Sequence, residues 1–224
     1  MKNIHSFFIL LFAALFLTCA AHTNLEPVGR GHVNGNVSIG GPIVAAFGTR
    51  IPIPYGTIGI NYGLRDRVNL NGNLHLLPLA YSVIGTDLGV TWFPVINKGA
   101  VPTLGIQPRL LALASVKKDV ASRDRLRIYP LVSSSAAWPL GKGLMYTGFD
   151  LTIPISSPDY DDEASSTILS PFIGYRWHLG RRTRLLTEIK WHGANIRSDQ
   201  LAVEYLPIAG HGAITTLFSI ERSF

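Results

Sequence analysis

Thr183-Arg184-Leu185-Leu186-Thr187-Glu188-Ile189-Lys190-Trp191 decides the fold. Its odd positions carry Thr, Leu, Thr, Ile and Trp, while its even positions carry Arg, Leu, Glu and Lys. Successive side chains leave a strand on opposite faces, so this alternation describes a ribbon with one greasy face and one charged face. The period of two holds again over 103–116, where Leu104, Ile106, Pro108, Leu110, Ala112, Ala114 and Val116 oppose Thr103, Gly105, Gln107, Arg109 and Ser115. It recurs at 57–62, 68–76, 86–93, 145–153, 167–179 and 214–224, and less cleanly at 33–39 and 126–138. Helical periodicity is hard to find anywhere. The pattern predicts an all-β chain of about ten strands.

The connections alternate in length, as they do when a meander passes from one end of a barrel to the other. Short turns fall at 64–67, 94–100, 139–143 and 180–181. Longer polar links fall at 117–125, 156–166 and 193–211, with 41–55 at the beginning and a shorter link near 78–81. Starting and finishing at the short-turn end requires an even number of strands, which ten satisfies. Pro108, Pro130 and Pro171 fall inside proposed strands. A closed barrel has no free edge where a missing N–H is harmless, so bulges or strand breaks are expected there, and eight or twelve strands stay open.

Composition sets the outer bounds. In 224 residues, 47% are hydrophobic and 15% charged, with 22 Gly and 14 Pro, which excludes a disordered chain or a coiled coil. An all-β chain of this length forms one domain. No stretch after residue 22 offers the roughly 20 continuous apolar residues of a membrane helix, so a polytopic helical protein is excluded. Lys2 followed by an apolar run over 7–17 reads as a secretory leader. With cleavage after Ala20 or Ala21, the leader is 1–21, a short periplasmic segment covers 22–30, and the barrel covers 31–224. Leu15-Phe16-Leu17-Thr18-Cys19 resembles the lipobox of bacterial lipoproteins, although Thr18 stands where Gly, Ala or Ser is usual and Phe16 where Leu is usual. That resemblance implies a leader of 1–18 and a diacylglycerol on Cys19. Both readings stay open, and neither leaves room for an internal disulfide or a cysteine metal site.

Alternation alone does not say which face meets water, because a soluble sandwich or lipid-binding barrel would turn its apolar set inward. Three features favour lipid outside. Trp92, Trp138, Trp177 and Trp191 fall on the apolar parity near strand ends, as interfacial aromatics do. The opposite parity carries Asp87, Arg109, Arg127, Asp150, Arg176, Arg184, Glu188, Lys190 and Glu221, a mixed-sign set that reads as a lumen network. The chain ends in an alternating strand with a terminal aromatic. It therefore resembles Gram-negative outer-membrane β-barrel proteins, whose last strand commonly ends in Phe as a recognition signal for the barrel-assembly machinery. Phe218, Ile220 and Phe224 match the apolar positions of that signal, and Arg222 departs from it. An arginine near the interface costs about 0–1 kcal/mol, against about 2–4 at the midplane. The resemblance implies a transmembrane antiparallel meander β-barrel in the outer membrane, both termini periplasmic, with lipid and lipopolysaccharide around it and the assembly machinery as its partner during insertion.

Catalytic chemistry finds little support. The stretch 190–195 is faintly similar to lipid A 3-O-deacylases, in which a histidine precedes a serine nucleophile by two positions, but Ala194 follows His192 here. Without a hydroxyl, acyl transfer has no nucleophile. Omptins, the ten-stranded outer-membrane aspartyl proteases, use an Asp-His pair, and no Asp-x-His occurs in this chain. Asp159, Asp161, Asp162 and Glu163 offer oxygens to a divalent cation without a fixed calcium-loop pattern; a solvated loop is the default and cation-mediated contact with lipopolysaccharide the sharper alternative. The net charge of +6 is spread along strands and turns rather than gathered on one basic face, which argues against nucleic acid. No cofactor or catalytic residue is expected. The sequence points to a non-enzymatic structural or surface-exposed barrel with a plugged polar lumen. The alternatives are a small anion-leaning channel, a soluble periplasmic or secreted lipid-binding barrel, and a lipid-modifying enzyme using His192.

Overall fold

The alternating stretches form one continuous wall. The computed structural model describes residues 22–46, 49–117, 125–153, 167–200 and 205–224. The leader with Cys19 and the acidic stretch at 159–163 lie outside them. Eleven strands follow in chain order among the described residues: β1 (Val33–Ala46), β2 (Thr49–Pro52), β3 (Tyr55–Arg65), β4 (Val68–His75), β5 (Val83–Val95) and β6 (Thr103–Ser115). Then come β7 (Leu126–Leu140), β8 (Gly143–Thr152), β9 (Ile168–His178), β10 (Thr183–Arg197) and β11 (His211–Ser223). From β3 to β11 each pairs antiparallel with the next, and β1 pairs with β3 on one side and β11 on the other. The wall is thus a closed ten-strand meander, because β2 stands outside it. Residues 43–46 of β1 leave the wall and pair with β2 as a two-strand ribbon. Tyr205 bridges this ribbon at Val44, and burial pushes its phenol up to about 12. With ten wall strands, residues before β1 and after β11 emerge at the same end as the short turns. Here this is called the terminal end.

The prolines break no strand, contrary to the sequence-based expectation of bulges or breaks. Pro108 pairs with Val132 in an unbroken β6–β7 ladder, while two rungs lapse on its β5 side between Gly89↔Arg109 and Trp92↔Ile106. Pro130 lies one residue beyond the last β7–β8 rung, and Pro171 one residue beyond the last β9–β10 rung. Each missing N–H therefore falls where one of two ladders has already lapsed, which removes the penalty. The register shifts occur elsewhere, near Gly63, between Trp92 and Val95, and after His192.

The faces resolve the question that alternation left open. Outward lie Leu88 at 64% exposure, Ile189 at 57%, and Val37, Ile60, Leu110, Ile173 and Phe218, all exposed. Inward lie Asp87 at 2%, Glu188 at 3%, and Asn34, Asn71, Gln107, Arg109 and Glu221, all buried. A surface this apolar has no favourable state in water, whereas an apolar exterior with a polar interior is the arrangement of a bilayer-spanning barrel. The soluble barrel with its apolar parity inside is thereby overturned. The interior is less uniformly polar than alternation predicts. Leu111, Leu113, Tyr129, Leu144, Phe172, Leu186 and Leu217 also point inward and pack together.

Candidate functional site

The lumen gathers buried ionisable groups of both signs. Strands β3 to β5 bring Tyr55, His75 and Asp87 together, all buried. Tyr55 Oη lies 2.7 Å from His75 Nδ1, and His75 Nε2 lies 2.7 Å from Asp87 Oδ2. With the carboxylate accepting from Nε2–H, Nδ1 is left to accept the phenol proton. Asn73 Nδ2 donates to the other Asp87 oxygen at 2.9 Å. Across the barrel, Lys190 Nζ of β10 donates to Asp150 Oδ2 of β8 at 2.6 Å and lies 3.3 Å from Glu188 Oε1. Ser133 Oγ joins Asp150 to Arg109, accepting from Arg109 Nη2 at 2.9 Å and donating to Asp150 Oδ1. Asp150, Glu188 and Lys190 are removed from bulk water with an opposite charge beside each, as burial demands, while Asp87 is held by hydrogen bonds from His75 and Asn73.

Residues 22–28 form a strap inside the barrel. His22, Thr23, Asn24 and Leu25 are all buried. Val28 donates its backbone N–H to Asn69 Oδ1 of β4 at 3.1 Å, and Asn69 Nδ2 donates back to Glu26 O at 3.2 Å. Glu26 then meets Arg176 of β9 in an ion pair. In a wall of ten strands β4 and β9 stand five apart, so the strap crosses the full diameter. Beyond that crossing Thr23 Oγ1 donates to Glu188 Oε2 at 2.8 Å, beside Tyr146 Oη at 3.1 Å from the same oxygen. His22, the first described residue, lies with Nδ1 2.9 Å from Ser219 Oγ and Nε2 2.8 Å from Glu221 Oε2. Glu221 also accepts from Asn34 Nδ2 at 3.1 Å and pairs with Arg184. The strap thus ties β4, β9, β10 and β11 together through polar groups on both sides of the interior.

Seven residues from the sequence-based network, Asp87, Arg109, Asp150, Arg176, Glu188, Lys190 and Glu221, lie buried on the inner face. Arg184 is partly exposed at the terminal end, where it meets Glu221. Arg127 is half-buried at the opposite end of β7, apart from the others. Residues 22–28, expected to belong to a short periplasmic segment, lie inside the barrel instead, and the asparagine row of β4 joins the network beside them. Asn69, Asn71 and Asn73 were legible as the polar parity of their strand, whereas residues 22–28 show no period from which burial could be read.

Trp92, Trp138 and Trp177 face outward near the terminal end of their strands, with Tyr62 and Tyr175 at a similar position, the Tyr175 ring tilted against Trp177. Trp191 also faces outward, farther along β10, and donates its indole N–H to His211 O at 2.9 Å. Phe218, Ile220 and Phe224 are exposed on the outer face. His192 does find a hydroxyl, on the neighbouring strand: Nδ1 lies 3.1 Å from Ser170 Oγ. Ser170 is buried and also accepts the Gly193 N–H at 3.2 Å.

No family model and no curated protein matches the chain. Among solved structures, an outer-membrane channel of the COG4313 group from Pseudomonas putida F1 is similar at TM-score 0.53 and 12% identity, over 91% of this chain and 99% of that one. The NanC porin aligns at TM-score 0.46 and 10% identity, over 85% and 98%. The translocator domain of the autotransporter NalP from Neisseria meningitidis aligns at 0.44 and 11%, over 99% and 96%. The fold is that of outer-membrane β-barrel proteins.

Proposed function

We propose that this chain is an outer-membrane barrel held shut by its own N-terminal strap, with a structural or surface-presenting role and no catalytic site. The observation that carries this reading is the crossing from Asn69 to Arg176, which lays residues 22–28 over the whole bore at the terminal end. A barrel of about eight strands is just filled by its own side chains, while open channels of the porin kind have 16 to 18 strands. Ten strands leave a little room, and the strap together with the inward Leu, Tyr and Phe side chains fills it. By the resemblance drawn from the last strand, the terminal end faces the periplasm and Phe218, Ile220 and Phe224 serve assembly. The opposite loops then face outward, toward lipopolysaccharide.

A planar-bilayer recording tests the closure. The full chain is expected to give no reproducible conductance. The variant His22→Ala/Leu25→Asp/Glu26→Ala, which removes the ties to Glu221 and Arg176 and makes the strap costly to bury, is expected to give discrete steps while keeping heat-modifiable mobility on a gel. Stepwise conductance from the unaltered chain would replace this reading with the small-channel one. The Pseudomonas putida barrel is titled a channel, but at 12% identity it lends that reading a fold and not a conductance.

A further inference from the structure

The terminal end carries a ring of uncompensated positive charge. Its four turns each present exposed cations: Arg65 and Arg67 at the first, Lys98 at the second, Lys142 at the third, Arg181 and Arg182 at the fourth. Arg30, where the chain enters, and Arg222, on the outer face of β11, extend the ring. None of these meets a carboxylate among the described residues, and Asp66 is the single exposed acidic side chain described at this end. The lumen charges are paired internally, so they do not neutralise it.

The spacing of this ring from the outward aromatics identifies what it faces. Arg65 follows Tyr62 by three positions, Lys142 follows Trp138 by four, and Arg181 follows Trp177 by four. At about 3.3 Å per residue along a tilted strand, with the last positions taken up by the turn, each cation lies roughly 5–8 Å beyond an interfacial ring. Aromatic girdles mark the headgroup level, and Lys and Arg stems reach from there toward phosphate while their apolar carbons stay in contact with the interface. A soluble anion would need a concave site with converging donors. These cations instead diverge around a circumference, matching the ring of lipids that surrounds a barrel.

We infer that this collar selects anionic phospholipids, such as phosphatidylglycerol, over zwitterionic ones in the leaflet that adjoins the terminal end. The inference rests on the membrane-spanning reading above, and one experiment separates failure of the two. The full chain carrying Trp191→Phe, so that its three remaining tryptophans all lie beside the collar, is reconstituted in vesicles containing brominated phosphatidylcholine or brominated phosphatidylglycerol. Fluorescence quenching in mixtures gives the relative binding constant. Quenching by neither lipid would sink the membrane-spanning reading itself. The collar predicts a preference for phosphatidylglycerol of about fivefold, the effect of one Lys or Arg beside an anionic leaflet, fading at 1 M KCl by screening. Lys142→Glu/Arg181→Glu/Arg182→Glu is expected to abolish the preference, whereas Lys142→Arg/Arg181→Lys/Arg182→Lys keeps it. Equal quenching by both lipids, or a preference that survives the three glutamates, would overturn the inference. So would loss of the preference to inorganic phosphate but not to chloride at equal ionic strength, which would make the ring a site for the free anion.

Discussion

Lys190 stands between Asp150 and Glu188 and is the residue on which the paired charge of the lumen depends. Replacing it with Met leaves two buried carboxylates facing each other with fewer countercharges: Asp150 retains Arg109 at 3.9 Å, while Glu188 keeps only neutral donors, Thr23 and Tyr146. Breaking a buried pair from one side costs about 3–5 kcal/mol. Lys190→Met is therefore expected to lower stability by about that much in urea-induced unfolding from detergent or vesicles, and Asp150→Asn by less, because Lys190 then still has Glu188. An equal loss from both would show that Glu188 does not share the ammonium. The sequence put Lys190, Glu188 and Asp150 on one face, because parity is a local property. It could not pair them, since which strands adjoin and in what register depends on the closed wall. His22 and Glu26 were illegible for a simpler reason: a segment without period gives no sign of which way its side chains point.

Strands β8 and β9 are locked together by a reciprocal arrangement on the inner face. Tyr146 sits opposite Gly174 and Phe172 opposite Gly148, so each ring lies over the other strand's glycine. A Cβ on Gly174 would come within 2.4 Å of both the Tyr146 ring and the Thr187 carbonyl oxygen, and one on Gly148 within 2.6 Å of the Phe172 ring and 2.1 Å of the Ser134 carbonyl oxygen. The two rings pack 6.1 Å apart, and Lys190 Nζ lies 5.2 Å over Phe172. Gly174→Ala forces Tyr146 aside and strips Glu188 of a donor, so a loss of about 1–3 kcal/mol is expected from overpacking alone. The same substitution in a Tyr146→Phe background should cost less than the two single losses added together, and simple additivity in unfolding experiments would contradict the contact. At this scale the sequence supplied strand positions well and strand continuity poorly. Pro108 predicts a bulge or break when its missing N–H is set against two ladders, whereas in the closed wall only the β7 ladder runs through it.

At the scale of the whole barrel, charge is arranged so that opening the bore exposes little net field inside and much at one mouth. Once the strap with Glu26 and His22 is displaced, the inner-face set holds Arg109, Arg176, Arg184 and Lys190 against Asp87, Asp150, Glu188 and Glu221, with Arg127 at the opposite rim one cation in excess. The terminal mouth keeps its ring of unpaired Arg and Lys. Charge at a low-dielectric entrance concentrates the opposite ion there and does so less as salt rises. The opened strap variant is therefore expected to pass chloride in preference to potassium, with unequal current at positive and negative voltage because the ring lies at one end. Reversal potentials across a tenfold KCl gradient measure the preference. It should shrink between 0.1 M and 1 M mean salt, and Lys142→Glu/Arg181→Glu/Arg182→Glu in the opened variant should reduce both preference and rectification without closing the pore. If selectivity follows Lys190→Met and ignores the turn residues, the field that sorts ions is in the bore and the terminal ring acts on lipid alone.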